Sequence, residues 1–323
     1  MKETFYERIG EAVCRERLSN GLEVCVVPKP GYAKKYAFFS TRYGGMDMRF
    51  RLDGVWHDTP AGIAHYLEHK MFDTKDGNAL QELAKNGAEP NAFTSNAMTA
   101  YYFDSTEHFE ENLRILLSFV SIPYFTDESV AKEQGIIGQE IRMIEDNPDW
   151  QIYTRMLRAM YHRHAARTSI AGTVESIAEI TADTLYDCHK AFYTPANMIL
   201  TVVGDVDPAE VVRAAREVLP RESGPAIPRD YGREEGLDAA LPDDADNAAD
   251  PERANQPLPH FRFGRQAVHQ PSVAVKLPLA GGGGLLVLFK HGFRPPYTDD
   301  GHSCPAQGGS GLRALPDAGF SEG

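Results

Sequence analysis

The hydrophobic and polar positions of residues 1–221 follow strand and helix periods in turn, and turn residues separate the segments. Short apolar runs predict strands at residues 22–27, 36–42, 92–95, 99–103 and 198–203. Apolar positions at helical spacing predict helices at residues 61–72, 109–120, 126–147 and 181–192. Thr126 and Thr181 are predicted N-cap residues of the last two helices. The pattern is typical of a folded chain that contains both strands and helices.

After residue 221 this periodicity weakens. Residues 237–255 are rich in Asp, Ala and Pro and are predicted to be disordered or a linker. Beyond them only two short apolar runs stand out, at residues 273–277 and 285–289. The sequence therefore predicts a folded domain at residues 1–221 and a low-complexity or disordered tail at residues 222–323.

Composition narrows the function classes. The chain has 323 residues, a net charge of −13 and a pI near 5.3. This acidic balance argues against a nucleic-acid partner, because binding phosphates requires clustered Lys and Arg. The four cysteines are scattered without a CxxC pair, which favours free thiols in a reducing compartment. With no apolar run of membrane-spanning length and a charged N-terminus, we expect a cytoplasmic protein without a membrane partner.

One motif carries candidate chemistry, the five-residue stretch His65-Tyr66-Leu67-Glu68-His69. If residues 61–72 form a helix, the two histidines lie four residues apart on one face and can share a zinc ion. Glu68 lies close to that metal and can take a proton from a water molecule that the zinc activates. By chance, H-x-x-E-H arises in about one chain in a hundred of this length, so the motif requires a third ligand.

The helix that begins at Thr126 offers that ligand. Glu133 and Glu140 are two helical turns apart and therefore share a face. Glutamates on a helix are usually solvated. Gly135 and Gly138 in the same helix instead predict that it approaches another element closely, because small residues leave room for it and glycine otherwise costs helix stability. Beside the two histidines, Glu140 would complete a three-ligand zinc site of the catalytic type. Glu133 would then orient one of the ligands.

H-x-x-E-H followed after about seventy residues by E-x6-E resembles the pitrilysin/insulinase family of zinc metallopeptidases, the inverzincins. Four further stretches resemble the same family: RLSNGLEVCVVPKP, NAFTSNAMTAYYFD, IAGTVESIAEIT and FYTPANMILTVVGDVDP. The likeness covers residues 10–220. It implies an α+β fold, a mixed and mostly antiparallel β-sheet with helices packed on one face.

The resemblance also implies roles for individual residues. The family pattern makes His65, His69 and Glu140 the ligands of one Zn²⁺ per chain, with Glu68 as general base and Glu133 as supporting acid. It also implies that an edge strand binds an extended peptide, main chain to main chain, through Asn91, Ala92, Phe93 and Thr94. The alternative for this strand is an ordinary sheet edge without a ligand. His162 and His164 are a second possible metal pair, in a stretch where the family has a connection without ligands.

The chain departs from the family pattern in its second half. Members usually contain two related halves, and the cleft closes between them, or between one half and a partner subunit. Residues after 240 show no second opening hairpin, which leaves a natural truncation or a frameshift as explanations. We therefore expect a zinc metalloendopeptidase that cleaves extended peptides and forms a homodimer or a heterodimer with a related subunit. The alternatives are a non-catalytic or incomplete subunit that docks an active relative, and an inert fragment.

Overall fold

The computed structural model describes residues 1–233 and the backbone of residues 273–278 and 284–289. Its strands, in chain order, are β1 (Lys2–Tyr6), β2 (Glu11–Arg17), β3 (Glu23–Pro28), β4 (Lys35–Thr41), β5 (Arg49–Leu52), β6 (Val55–Asp58), β7 (Asp73–Thr74), β8 (Gly77–Asn78), β9 (Glu89–Thr94), β10 (Thr99–Ser105), β11 (Met198–Gly204), β12 (Val273–Pro278) and β13 (Gly284–Phe289).

The helices, in chain order, are α1 (Ile63–Lys70), α2 (Ala79–Lys85), α3 (Phe109–Ser121), α4 (Asp127–Glu145), α5 (Pro148–Met160), α6 (Val174–Ile177), α7 (Ala182–Phe192) and α8 (Pro208–Val218). Short 3₁₀ turns follow α5 at Ala165–Arg167 and α7 at Pro195–Asn197. None of the described helices is both long enough and apolar enough to cross a bilayer.

Seven strands form one sheet in the order β1-β2-β3-β11-β4-β10-β9. Only the β3–β11 pair within it is parallel, and every other neighbouring pair is antiparallel. Strand β11 comes late in the chain and lies between β3 and β4, which come early in the chain. The predicted mixed and mostly antiparallel sheet is confirmed.

The helices lie on one face of this sheet. Alternate strand residues such as Val24, Phe39 and Tyr101 are fully buried in a core shared with α1, α3 and α8. The residues between them, among them Phe38 and Tyr102, point to the other face and remain half-buried. This period-two alternation is expected of a sheet covered on one side. The α+β fold with helices on a single face is therefore confirmed.

Two glycines fix the place where α1 begins. Gly62 precedes the helix with φ of 93°, a left-handed conformation that glycine adopts without steric cost. A Cβ on Gly62 would lie 2.6 Å from the Ala171 carbonyl oxygen, and a Cβ on Gly172 would collide with the Ala61 backbone. Ser176 also donates a hydrogen bond of 2.8 Å to the Ala61 carbonyl. The segment before α1 is thus held against residues 170–173.

The predicted role of Gly135 and Gly138 is wrong. A Cβ at either position would meet nothing within 4 Å, so neither glycine permits a close approach to another element. Both lie inside α4 and carry only the conformational cost of glycine in a helix.

Gly135→Ala and Gly138→Ala are therefore each expected to raise the free energy of unfolding by roughly 0.5–1 kcal/mol, measured by urea denaturation. Gly172→Ala is the matched control and is expected to lower it, because Gly172 has φ of 75° and no room for a Cβ. Destabilisation by both α4 substitutions would show that the helix needs these glycines.

Residues 222–233, which the sequence assigns to the tail, contact this same unit. Arg229 forms an ion pair of 3.1 Å with buried Asp47, and Tyr231 donates a hydrogen bond of 2.9 Å to the same carboxylate. Asp230 adds a backbone hydrogen bond of 2.9 Å to Arg49. The compact unit that begins at Met1 therefore continues past the predicted boundary at residue 221.

The rest of the predicted tail lies outside the described residues, apart from β12 and β13. These two strands pair antiparallel with each other in a separate unit. They coincide with the two apolar runs found in the sequence. The choice between truncation and frameshift stays a prediction.

Candidate metal centre

Helix α1 places the residues of the opening motif. Tyr66 and Leu67 are buried in the core, so the opposite side of the helix carries His65 and His69. The two imidazole rings lie 4.7 Å apart, centroid to centroid, as their spacing of four residues predicts. Both side chains are mostly buried, with 12% and 25% of their surface exposed.

Helix α4 brings two glutamates to this face. Thr126 caps the helix by accepting a hydrogen bond from the Ser129 amide, and Ile137 and Ile141 bury its apolar stripe in the core. The Tyr66 hydroxyl donates a short hydrogen bond to the Val130 carbonyl, which ties α1 to the first turns of α4. The side of α4 that faces the histidines therefore carries Glu133 and Glu140.

Three ligand atoms converge between the helices. Nε2 of His65 lies 3.5 Å from Oε1 of Glu140, and Nε2 of His69 lies 3.4 Å from Oε2. In a tetrahedral zinc site with bonds of 2.0–2.1 Å, neighbouring ligand atoms are about 3.3 Å apart. Two imidazoles and a carboxylate at this spacing fit a zinc ion and leave a position open. Among the described His, Cys, Asp and Glu residues, no other group of three converges in this way.

Glu133 contacts the second histidine from the side away from this point. Its Oε1 lies 3.0 Å from Nδ1 of His69, and this hydrogen bond lowers the pKa of Glu133. When Nδ1 carries the proton, the lone pair of Nε2 faces the two other ligand atoms. Nδ1 of His65, by contrast, is buried and makes no hydrogen bond to the described part of the chain. Glu133 thus orients His69 only.

Charge couples these groups strongly. Burial alone would lower the pKa of His69, but Glu133 and Glu140 outweigh this effect and raise it to about 9. The same contacts, with His65 first and His69 second, hold the pKa of Glu140 far below its usual range. In the metal-free chain at neutral pH, His69 is therefore protonated and paired with two carboxylates.

Zinc binding is consequently expected to depend on pH. Zinc must displace the proton of His69, so the apparent affinity should fall about tenfold for each pH unit below about 9 and level off above it. Competition with a zinc chelator between pH 6.5 and 9.5 measures this dependence. Glu133→Gln should weaken zinc binding at pH 9 by about 10–100-fold and let the plateau begin at lower pH. An affinity that stays constant over this range would contradict the coupling.

Glu68 lies beside the ligands without joining them. Its side chain is buried, and its Oε2 accepts a hydrogen bond of 2.5 Å from the Thr94 hydroxyl. Burial raises the pKa of this carboxyl, while Thr94 and the two histidines act in the opposite direction. A carboxylate with a raised pKa is better suited to accept a proton near neutral pH.

The predicted peptide-binding residues lie on β9, which among the described strands pairs only with β10. Asn91 and Phe93 are exposed on one side, whereas Ala92 and Thr94 point to the helices. The amide of Ala92 donates to the Asn91 side chain, 2.8 Å away, rather than to a strand. The structure therefore places these residues on a sheet edge next to Glu68.

Sequence reasoning missed Lys70 and the partner of Glu68. Lys70 is 1% exposed, and its ammonium donates to Asp73 and, at 3.3 Å, to the Ser129 carbonyl at the start of α4. The only feature of the sequence that could have indicated a buried Lys70 is its position between His69 and the apolar Met71. His162 and His164 lie outside the group of converging ligands.

Two family models match the sequence. "Insulinase (Peptidase family M16)" covers residues 54–179, which include every candidate metal ligand, and "Peptidase M16 inactive domain" covers residues 179–276. The "uncharacterized zinc protease YmfH" of Bacillus subtilis is 49% identical over 236 residues, which are 71% of this chain and 55% of the relative. The "uncharacterized zinc protease YmxG" of the same organism is 32% identical over 47% of this chain and 41% of the relative.

Solved structures agree with this assignment. An M16-like peptidase from Alicyclobacillus acidocaldarius superposes with a TM-score of 0.65 at 43% identity, over 68% of this chain and 53% of that one. A protease from Helicobacter pylori shares the fold, with a TM-score of 0.62 at 23% identity, over 70% and 55% of the two chains. The chain spans about half the length of the curated relatives it matches. Fold, ligand geometry and these matches together show that the chain belongs to the insulinase family, peptidase family M16.

Proposed function

We propose that this protein is a zinc-dependent endopeptidase that hydrolyses extended peptides by attack of an activated water molecule. The observation that carries the proposal is the convergence of His65, His69 and Glu140, with the buried carboxylate of Glu68 beside them. Relatives named zinc proteases support the choice of metal and the reaction class.

The residues divide the chemistry between them. His65, His69 and Glu140 would hold the ion, which when bound lowers the pKa of a water molecule and polarises the scissile carbonyl. Glu68 accepts the proton of the attacking water at its carboxylate and passes it to the leaving amine. Glu133 keeps the proton of His69 on Nδ1.

The substrate would add a strand to the edge of β9 that pairs with no other described strand. Main-chain hydrogen bonds to this edge recognise an extended peptide without reading its sequence. The Asn91 side chain accepts the Ala92 amide hydrogen bond and would have to release it when a peptide strand pairs there. The strand lies next to Glu68 through Thr94, so a bound peptide bond is brought to the base.

A second chain completes the cleft in this proposal. The chain spans about half the length of its relatives. In this proposal a partner, either a second copy or a related subunit, forms the opposite wall of the cleft. An incomplete subunit that docks an active relative is the alternative that the same observation supports. A docking subunit does not need a metal site or a base. The presence of His65, Glu68, His69 and Glu140 therefore favours the peptidase.

The test is cleavage of a quenched fluorescent peptide library by the zinc-loaded chain. We expect cleavage that a chelator abolishes and zinc restores, with products identified by mass spectrometry. The assay is run with the chain alone and with the chain mixed with an inactive Glu-to-Gln variant of the full-length YmfH relative, as a trial partner for the opposite wall of the cleft. If the folded, zinc-loaded chain cleaves no peptide, either alone or in the mixture, the peptidase proposal is contradicted.

A further inference from the structure

The last residue of β9 links the proposed substrate strand to the proposed base. Oγ1 of Thr94 donates to Oε2 of Glu68 at 2.5 Å. Glu68 is 7% exposed, and within the described residues the structure shows no other hydrogen bond to its carboxylate. A buried carboxylate with one donor is held by that donor, because losing it leaves the charge without a partner.

The geometry of β9 leaves this task to Thr94. Successive strand residues face opposite sides, so Ala92 and Thr94 face α1 whereas Phe93 faces away. Ala92 has no polar atom in its side chain. Thr94 is branched at Cβ, which restricts its χ1 angle and therefore the direction of its hydroxyl.

The end of the strand is itself anchored. Thr94 pairs with Thr99 in the register of β9 and β10, and the Thr99 hydroxyl donates to the Tyr43 carbonyl at 2.8 Å. Thr99 and Tyr43 are fully buried, with 0% exposure. The Thr94 hydroxyl is thus carried by backbone that is fixed in the core.

We propose that Thr94 is a positioning residue that holds Oε2 of Glu68 and thereby keeps the other carboxylate oxygen available for the attacking water. This inference rests on the proposed peptidase function. Without the hydroxyl, the Glu68 carboxylate is free to turn toward the metal ion that His65 and His69 would hold. It would then become a metal ligand instead of a base.

Two substitutions separate the hydroxyl from the shape of the side chain. Thr94→Val keeps the branched shape and the main chain but removes the donor, and Thr94→Ser keeps the donor. Because the main chain that would bind the peptide is unchanged, Thr94→Val is expected to lower kcat by about 10–100-fold with little change in KM. Thr94→Ser is expected to retain most of the activity.

A spectroscopic measurement decides the inference independently of turnover. Each variant is loaded with Co²⁺, whose visible absorption bands weaken as ligands are added. We expect the bands of Thr94→Val to weaken, the bands of Thr94→Ser to match the wild type, and Thr94→Val to have no effect in a Glu68→Gln background. Circular dichroism verifies that each variant is folded.

The outcomes distinguish the inference from the function on which it rests. Unchanged Co²⁺ bands and unchanged kcat in Thr94→Val would overturn the positioning role and leave the peptidase intact. Altered bands in a chain that binds metal but cleaves no peptide would support the positioning role and count against the peptidase. A folded wild-type chain that binds no Co²⁺ would overturn both.

Discussion

Glu68→Gln is expected to lower peptide hydrolysis by at least about a thousandfold, in the upper part of the range for loss of a general base. The amide is nearly isosteric with the carboxylate and can still accept the hydrogen bond from Thr94, so the fold should not change. It cannot accept a proton from water. Glu68 is not among the converging ligands, so the zinc content should stay the same.

Initial rates with a quenched peptide and zinc analysis of the same samples measure both effects. Glu145→Gln is the matched control, because Glu145 is an exposed glutamate near the end of α4. Hydrolysis by Glu68→Gln within tenfold of the wild type would rule out Glu68 as the base. Loss of zinc in this variant would instead make Glu68 a ligand.

Glu140→Gln is expected to weaken zinc binding by about a hundredfold to a thousandfold. A protein zinc site contributes roughly 10–16 kcal/mol, and an equal share for each of four ligands, the fourth being water, is about 2.5–4 kcal/mol. The amide keeps the volume of the side chain but is neutral. The contacts of 3.5 Å and 3.4 Å to His65 and His69 would then lack the charge that favours Zn²⁺.

Competition titrations with a zinc chelator at pH 10 measure this loss, because this pH lies above the pKa of His69 of about 9 and most of the His69 imidazole is then deprotonated. Glu145→Gln is again the control and should bind zinc as the wild type does. Equal affinities of Glu140→Gln and the wild type would show that the metal, if bound, lies elsewhere.

Local spacing predicted the geometry of the candidate site. Positions four apart placed His65 and His69 on one face, and positions seven apart placed Glu133 and Glu140 on another. These relations hold because helical periodicity is set by the backbone alone. The limits of the first helix were less accurate: residues 61–72 were predicted, and α1 is Ile63–Lys70. The left-handed Gly62 excludes an earlier start.

Two kinds of feature were not predicted: the start of α5 and the hydrogen bonds between residues far apart in the sequence. The predicted helix at residues 126–147 ends at Asn147, but Asn147 is the N-cap of the following helix α5, and Pro148 lies in the first turn of α5. The bond from Thr94 to Glu68 and the bond from Lys70 to Ser129 join residues 26 and 59 positions apart. Such contacts arise from the packing of β9 and α4 against α1, which periodicity does not encode.

In the proposed site, two imidazoles and one carboxylate bind zinc between α1 and α4. The X-ray absorption spectrum of the zinc-loaded chain at the zinc K edge tests this claim most directly. The predicted spectrum contains only nitrogen and oxygen neighbours at about 2.0–2.2 Å, with the multiple-scattering pattern of two imidazoles. A sulfur shell at about 2.3 Å would assign the metal to cysteines instead. That result, or a folded chain that retains no zinc, would contradict the claim.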